Sequence, residues 1–244
     1  MRRLLLWLGI GLLLFWPLAL RAQTPDSHGE VTVATPSYGG ETASAPIPAE
    51  QHIRNEGGSD RAGLCVISSL IINGTYQEVP GLELGKRSEL WRVAKSRPGG
   101  YDPEKLKRLL DEVMPGEMYA NYYGSDPTVL DALSRQGFPI GVTMGTGQLY
   151  GYRTIAHMVS LIHYRIGGMA CVVDNNDPGK YHWMPATEFD RRWILGGGTG
   201  WAFQWRRLPP AKVAIGLIFA ISIAAALFAA GSTYPPRRLR TSTP

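Results

Sequence analysis

The 244-residue chain contains little cysteine and little charge. Its two cysteines, Cys65 and Cys171, are too few for the disulfide framework of a small secreted domain and lack the paired spacing of a zinc site. Charged residues make up 18% of the sequence and apolar residues 44%, which is typical of a globular domain and excludes a chain that is disordered throughout. No metal ion or cofactor is expected, and each cysteine has to be considered singly.

Basic residues are also scarce in the middle of the chain, although the net charge is +5. Six of the 25 basic residues are arginines near the two ends, so that 19 basic residues face 20 acidic residues between them. A nucleic-acid-binding domain would carry an excess of basic residues in its folded part. The sequence therefore predicts no nucleic-acid partner.

Two long apolar runs lie near the ends of the chain. Residues 1–22 are predicted to be a signal peptide cleaved after Ala22, with an uncleaved N-terminal anchor as the alternative. Residues 211–232 are predicted to be a transmembrane helix, because the uncharged run from Val213 to Gly231 would extend about 28 Å as a helix, close to the hydrocarbon thickness of a bilayer. The arginines that follow predict a basic cytoplasmic tail at 233–244. We therefore expect a single-pass membrane protein whose folded part lies on the periplasmic or extracellular face.

The remaining chain divides by composition. Residues 23–50 are rich in Thr, Ser, Pro, Gly and Ala without a clear helical or strand period, and they are predicted to be a flexible linker. Residues 51–208 are predicted to be the folded domain.

Within that domain, helical patterns come first and strand patterns follow. Helices are predicted at 64–72 and 86–96 and after two Asp-Pro pairs, Asp102-Pro103 and Asp126-Pro127, which supply a cap and a first-turn proline. Strands are predicted at 138–144, 158–164, 169–173 and 201–205. This order predicts an α+β domain with a helical first half and an antiparallel sheet in the second half.

Three separated positions carry the residue types of thiol chemistry. Cys65 opens the first predicted helix, where free backbone N–H groups and the helix dipole lower the pKa of a thiol. His157 opens a predicted strand after a glycine-rich loop, and the polar cluster 174–177 ends the strand that follows. If these two strands pair in a hairpin, the cluster lies beside His157. A nucleophile, a base and a residue that orients the base then come together, as thiol acyl transfer requires.

Four short motifs follow one another along the domain. They are Gly63-Leu64-Cys65-Val66, Arg135-Gln136-Gly137-Phe138-Pro139-Ile140-Gly141-Val142, Ala156-His157-Met158-Val159, and Val172-Val173-Asp174-Asn175-Asn176 with Glu188-Phe189 and Trp193 downstream. Over about residues 51–205 this series resembles the papain-like cysteine peptidases, and most of all the compact peptidases of the bacteriocin-processing, double-glycine-cleaving type. The resemblance implies a papain-like α+β fold whose central helix carries Cys65, and a peptide or protein substrate.

The resemblance also implies a role for each polar residue. Cys65 would be the nucleophile and His157 the general base. Asn175 would orient the histidine, with Asp174 and Asn176 as alternative orienters.

The chain departs from the family at the oxyanion hole. The family combines the N–H of the cysteine with a glutamine side chain a few residues upstream. No glutamine lies close before Cys65, since Gln51 is 14 residues back. Asn55 is the candidate donor here, because its amide is the same type of donor.

Three functions remain open at this point. The first is a membrane-anchored extracytoplasmic cysteine peptidase that acts through a thioester acyl-enzyme. The second is a catalytically degenerate binding module of the same fold, which the missing glutamine and a disulfide between Cys65 and Cys171 would both favour. The third is a transglutaminase-like acyl transferase, which uses the same triad.

Overall fold

The computed structural model of the protein describes residues 25–195 and 200–206. The predicted signal peptide at 1–22, transmembrane helix at 211–232 and cytoplasmic tail at 233–244 lie outside the described residues. Within the described residues, no helix is both long enough and apolar enough to cross a membrane.

Five α-helices are described, and four of them lie where the sequence predicts helices. The helices are α1 (Cys65–Tyr76), α2 (Glu89–Lys95), α3 (Pro103–Val113), α4 (Thr128–Arg135) and α5 (Ala186–Leu195). Helix α3 starts as its Asp-Pro pair predicts: the Asp102 carboxylate accepts a hydrogen bond from the Lys105 N–H at 2.7 Å, and Pro103 occupies the first turn. Helix α5 is not among the predicted helices.

Nine strands are described. They are β1 (Val31–Val33), β2 (Ser37–Tyr38), β3 (Glu41–Thr42), β4 (Tyr119–Gly124), β5 (Ile140–Met144), β6 (His157–Tyr164), β7 (Met169–Val173), β8 (Tyr181–Pro185) and β9 (Gly200–Trp205). Strands β2 and β3 form a separate hairpin, and the other seven form one sheet in the order β1-β8-β7-β6-β5-β9-β4. Every neighbouring pair in that sheet is antiparallel.

The fold is therefore mixed, with a large antiparallel sheet, but helices and strands are less separated along the chain than predicted. Strand β4 lies between α3 and α4, and helix α5 lies between β8 and β9. Neither β4 nor α5 is predicted from the sequence, and β8 is not predicted either.

Helices cover both faces of the sheet. One hydrophobic cluster joins α1, α2 and α3 to Met158 of β6 and to the aromatic residues of β9, and a second joins α4 and α5 to Val159 of β6 and Ala202 of β9. Successive residues of β6 therefore face different clusters, and all eight residues of the strand are buried. Since both faces are covered, most residues of the central strands are apolar, and the polar ones among them, such as Ser160 of β6, are buried as well.

The prediction of a flexible linker at 23–50 is wrong for its described part. Strand β1 pairs with β8 at the edge of the main sheet, and the Ala45 N–H donates to the Ile162 carbonyl oxygen at 2.9 Å. Ala43, Ala45 and Ile47 are all buried against β7 and β8. Their spacing of two residues is that of an extended chain with one face on a core, and the surrounding polar and small residues conceal this pattern.

Candidate active site

Cys65 is the first residue of α1, and a short hairpin brings the chain to it. The Leu64 N–H donates to the Glu56 carbonyl oxygen at 2.8 Å, and Gly57 and Gly63 form an isolated antiparallel bridge. At the start of the hairpin, Asn55 is held because its N–H donates to the Asn175 carbonyl oxygen at 2.7 Å. The hairpin thus places the Asn55 side chain beside Gly63, two residues before Cys65. A Cβ atom on Gly63 would lie 3.2 Å from Asn55 Nδ2.

His157 and Asp174 are brought together by strand pairing. His157 is the first residue of β6 and Asp174 directly follows β7, and these antiparallel strands pair with Ser160 opposite Val173. The start of one strand therefore lies beside the end of the other, as the sequence analysis predicts. His157 Nε2 lies 2.9 Å from Asp174 Oδ1, and both side chains are buried.

Asn175 is not the partner of His157, so the preference for it as orienter is wrong in this structure. Its Nδ2 instead donates to the Met158 carbonyl oxygen at 2.8 Å, to Ser69 Oγ at 3.0 Å and to the Cys65 carbonyl oxygen at 3.1 Å. The reason is that consecutive residues at the end of an extended strand point in opposite directions. Asp174 points toward His157, and Asn175 ties the first turns of α1 to β6.

Asn176, the other alternative orienter, also makes no hydrogen bond with His157 among the described contacts. Its Oδ1 accepts from Asn55 Nδ2 at 3.0 Å, and its Nδ2 donates to the hydroxyl of Tyr150. The Tyr150 hydroxyl in turn lies 3.0 Å from Asp174 Oδ2. A chain of side-chain hydrogen bonds therefore runs from Asn55 through Asn176 and Tyr150 to Asp174.

Tyr150 is not among the site residues predicted from the sequence. It lies in the glycine-rich loop between β5 and β6, next to the predicted strand that His157 opens. A large aromatic residue with a polar group in such a loop is the only sequence signal that it gives.

The electrostatics of the site favour an ion pair between Cys65 and His157. Burial alone would raise the pKa of the Cys65 thiol, but the hydrogen bond and charge of His157, with backbone hydrogen bonds from Met158 and Val66, bring that pKa below its ordinary value. Burial alone would lower the pKa of His157, but hydrogen bonds with Asp174 and Cys65 raise it to about 9. Since Nε2 faces Asp174, the nitrogen left for the thiol is Nδ1.

Asp174 is ionised in this arrangement. Burial would raise the pKa of its carboxyl group, but the hydrogen bond and charge of His157 outweigh burial, so the pKa lies below its ordinary value. The arrangement thus favours the charged forms of all three groups, the carboxylate, the imidazolium and the thiolate.

A cavity of about 800 Å³ lies at the candidate site. Cys65, His157 and Asn55 lie in its wall. The remaining wall includes four aromatic residues, Tyr101, Tyr123, Tyr150 and Trp201. The reactive groups therefore border a space that is large enough for several residues of a peptide.

Cys171 differs from Cys65 in its burial and in the direction in which its pKa is shifted. Both cysteines are free thiols, so the disulfide considered from the sequence is not formed. Cys171 is fully buried in β7, and burial raises its pKa well above the ordinary value of a thiol. Cys171 therefore serves as an unreactive internal reference for Cys65.

No family model matches the chain, and no curated protein matches it. Among solved structures, the chain is similar to a crystal structure from Bacillus anthracis described as a "putative C39-like peptidase". The identity is 15%, the TM-score is 0.42, and the match covers 67% of this chain and 96% of that one. Similarity at this level carries no argument about activity, which has to come from the geometry of the site.

Proposed function

We propose that this protein is a papain-like cysteine peptidase that hydrolyses peptide bonds through a thioester acyl-enzyme at Cys65. The observation that carries the proposal is the position of His157 between the thiol of Cys65 and the carboxylate of Asp174, in the wall of the cavity. In the proposed triad Cys65 is the nucleophile, His157 the general acid and base, and Asp174 the orienter.

The proposed reaction starts from the thiolate–imidazolium pair. The Cys65 sulfur attacks the carbonyl carbon of the peptide bond, and a carbon–sulfur bond forms as the carbonyl electrons move to oxygen. When the tetrahedral intermediate collapses, the carbon–nitrogen bond breaks and His157 gives its proton to the leaving amine. Neutral His157 then removes a proton from water, the water oxygen attacks the thioester, and the thiolate of Cys65 leaves.

Asp174 contributes through its charge and its hydrogen bond. A carboxylate on Nε2 fixes which ring nitrogen faces the thiol, and it stabilises the imidazolium that must protonate the leaving amine. This is the role that the resemblance gives to Asn175.

The proposed oxyanion hole combines the N–H of Cys65, at the start of α1, with the side-chain amide of Asn55. Helix N-termini have N–H groups without partners within the helix, and such groups stabilise a developing negative charge. The Asn55 amide has two N–H bonds, and the described contacts use one of them, toward Asn176. The second N–H is the one that the proposal assigns to the oxyanion.

The test is turnover of a peptide library by the full chain in detergent, with products identified by mass spectrometry. We expect hydrolysis that is lost in Cys65→Ala and in His157→Ala and retained in the matched variant Cys171→Ala. Absence of any turnover by wild type would favour the degenerate binding module instead. Products in which an added amine replaces water would favour the transglutaminase-like alternative.

We further propose that the enzyme is anchored in a membrane with its catalytic domain on the extracytoplasmic face. This proposal rests on the apolar runs and terminal arginines of the sequence alone. The test is extraction of the full chain from membranes at alkaline pH, together with protease digestion of intact cells. Retention in the membrane and digestion of the domain from outside are expected, and release by alkali would contradict the anchor.

A further inference from the structure

Tyr150 contacts three groups of the candidate site at once. Its hydroxyl donates to the Asp174 carboxylate, with Oη 3.0 Å from Oδ2 and 3.2 Å from Oδ1, and it accepts a hydrogen bond from Asn176 Nδ2. Its ring lies edge-on to the imidazole of His157, with 5.5 Å between the centroids. Burial and the Asp174 charge raise the pKa of the Tyr150 hydroxyl, which therefore stays protonated and remains a donor.

Without the Tyr150 hydroxyl, only one of the two carboxylate oxygens of Asp174 would accept a hydrogen bond among the described contacts. Oδ1 accepts from His157 Nε2 at 2.9 Å and from the Asn176 N–H at 2.8 Å. Among the described contacts, Oδ2 accepts only from Tyr150. Because Asp174 is 2% exposed, Oδ2 would otherwise be a buried carboxylate oxygen without a donor, an arrangement that favours rotation of the side chain.

The loop that carries Tyr150 is held by contacts that do not involve the hydroxyl. The Gln148 N–H donates to Glu30 Oε2 at 3.1 Å, and the Gly145 N–H donates to the Arg192 carbonyl oxygen at 2.8 Å. Removal of the hydroxyl alone should therefore leave the loop in place.

We propose that Tyr150 is a positioning residue for the triad. Its hydroxyl holds Asp174 in the rotamer that bonds His157, and it connects Asp174 through Asn176 to Asn55 at the proposed oxyanion hole. This inference rests on the proposed function, because it assigns a role within the same triad.

The direction of the effect distinguishes positioning from simple electrostatics. If the hydroxyl only neutralised charge, its loss would make Asp174 a stronger base, hold the His157 proton more tightly and lower the pKa of Cys65 further. If the hydroxyl holds Asp174 in place, its loss loosens the Asp174–His157 hydrogen bond, and the pKa of Cys65 moves up toward that of an ordinary thiol.

The experiment compares Tyr150→Phe with Tyr152→Phe in the full chain. Tyr152 lies in the same loop, and its hydroxyl is buried and has no hydrogen-bond partner among the described residues, so its removal is a matched control. The rate of Cys65 alkylation by iodoacetamide is measured against pH, kcat and KM are measured on a peptide that wild type cleaves, and thermal unfolding checks that each variant folds.

For Tyr150→Phe we expect the midpoint of the alkylation profile to rise by about one pH unit and kcat to fall about tenfold, with little change in KM. Tyr152→Phe should behave as wild type. A Tyr150→Phe profile that matches Tyr152→Phe, or a midpoint that moves down, would overturn the inference and leave the proposed function standing. A wild-type profile typical of an ordinary thiol would instead overturn the proposed triad, and this inference with it.

Discussion

Replacement of Asp174 by asparagine removes one charge from the centre of the site and keeps the shape of the side chain. Asparagine still offers an oxygen to His157 Nε2, which lies 2.9 Å from Asp174 Oδ1. What is lost is the negative charge that stabilises the imidazolium. The variant therefore separates the electrostatic contribution of Asp174 from its contribution to packing.

The expected size follows from the pKa of His157, which is raised from 6.5 to about 9. That difference corresponds to about 3 kcal/mol in favour of the imidazolium. Two partners raise this pKa, and Asp174 contributes more than Cys65. Loss of the Asp174 charge should therefore cost on the order of 2 kcal/mol, which is roughly 1.5 pH units.

The assay is the alkylation rate of Cys65 against pH, because only the thiolate reacts. The midpoint of the profile should move up in Asp174→Asn, and at a pH below it the rate should fall at least about tenfold. Asp177→Asn is the matched control, since Asp177 lies on the same turn and pairs with Lys180 and His182 outside the triad. An unchanged profile in Asp174→Asn, or an equal change in both variants, would contradict the proposed electrostatic role of Asp174.

Three further predictions concern the oxyanion hole, the pH range and the N-terminal segment. Asn55→Ala should lower kcat by a factor of about 10² to 10³ while Cys65 is still alkylated, and unchanged hydrolysis kinetics would contradict its role as a donor. Wild-type kcat/KM should fall as pH rises through about 9, because His157 loses the proton that the leaving amine needs, and a rate that keeps rising above this pH would contradict the ion pair. In the intact protein, Nη1 of the fully buried Arg192 lies 2.6 Å from Glu30 Oε2. Glu30→Ala removes this partner of Arg192 and should reduce the free energy of unfolding by about 3 to 5 kcal/mol. Lys107→Ala removes an exposed pair and should have a much smaller effect in the same denaturant titration, so equal losses would contradict the burial argument.

Much of the fold could be predicted because its signals are local. The Asp-Pro pairs before α3 and α4 mark helix starts through capping and the fixed φ of proline, and both helices are present there. Strands β6 and β7 are mostly apolar and are joined by a short turn that contains Gly167-Gly168, so their pairing could also be predicted.

The missed elements depend on partners that are distant in the sequence. Strand β4 contains Asn, Ala and Gly beside its tyrosines, and its six residues are strand because they pair with β9, about 80 positions later. Strand β1 is a short segment in a polar region, and its pairing with β8 spans about 150 positions. Local composition gives no indication of such pairings.

The candidate site, like the fold, could be predicted from the sequence only in part. One hairpin is sufficient to predict that His157 lies beside the polar cluster at 174–177, whereas the position of Cys65 depends on how α1 packs against β6. Which residue of the cluster faces His157 could not be decided, because a change of one position reverses the direction of every side chain at a strand end. The structure has Asp174 there, and Asn175 faces α1.

In the proposed mechanism, His157 makes Cys65 a reactive thiolate. Mass-spectrometric mapping of iodoacetamide labelling measures this reactivity at each cysteine. The full chain is labelled under native conditions between pH 5 and 9 without reductant, as wild type and as His157→Ala. For wild type we expect labelling of Cys65 at pH values well below about 8.5, the pKa of an ordinary thiol, and no labelling of Cys171. In His157→Ala the labelling of Cys65 at these pH values should be lost. Labelling of Cys65 that follows an ordinary thiol in both proteins, or labelling of both cysteines only after reduction, would contradict the proposed mechanism.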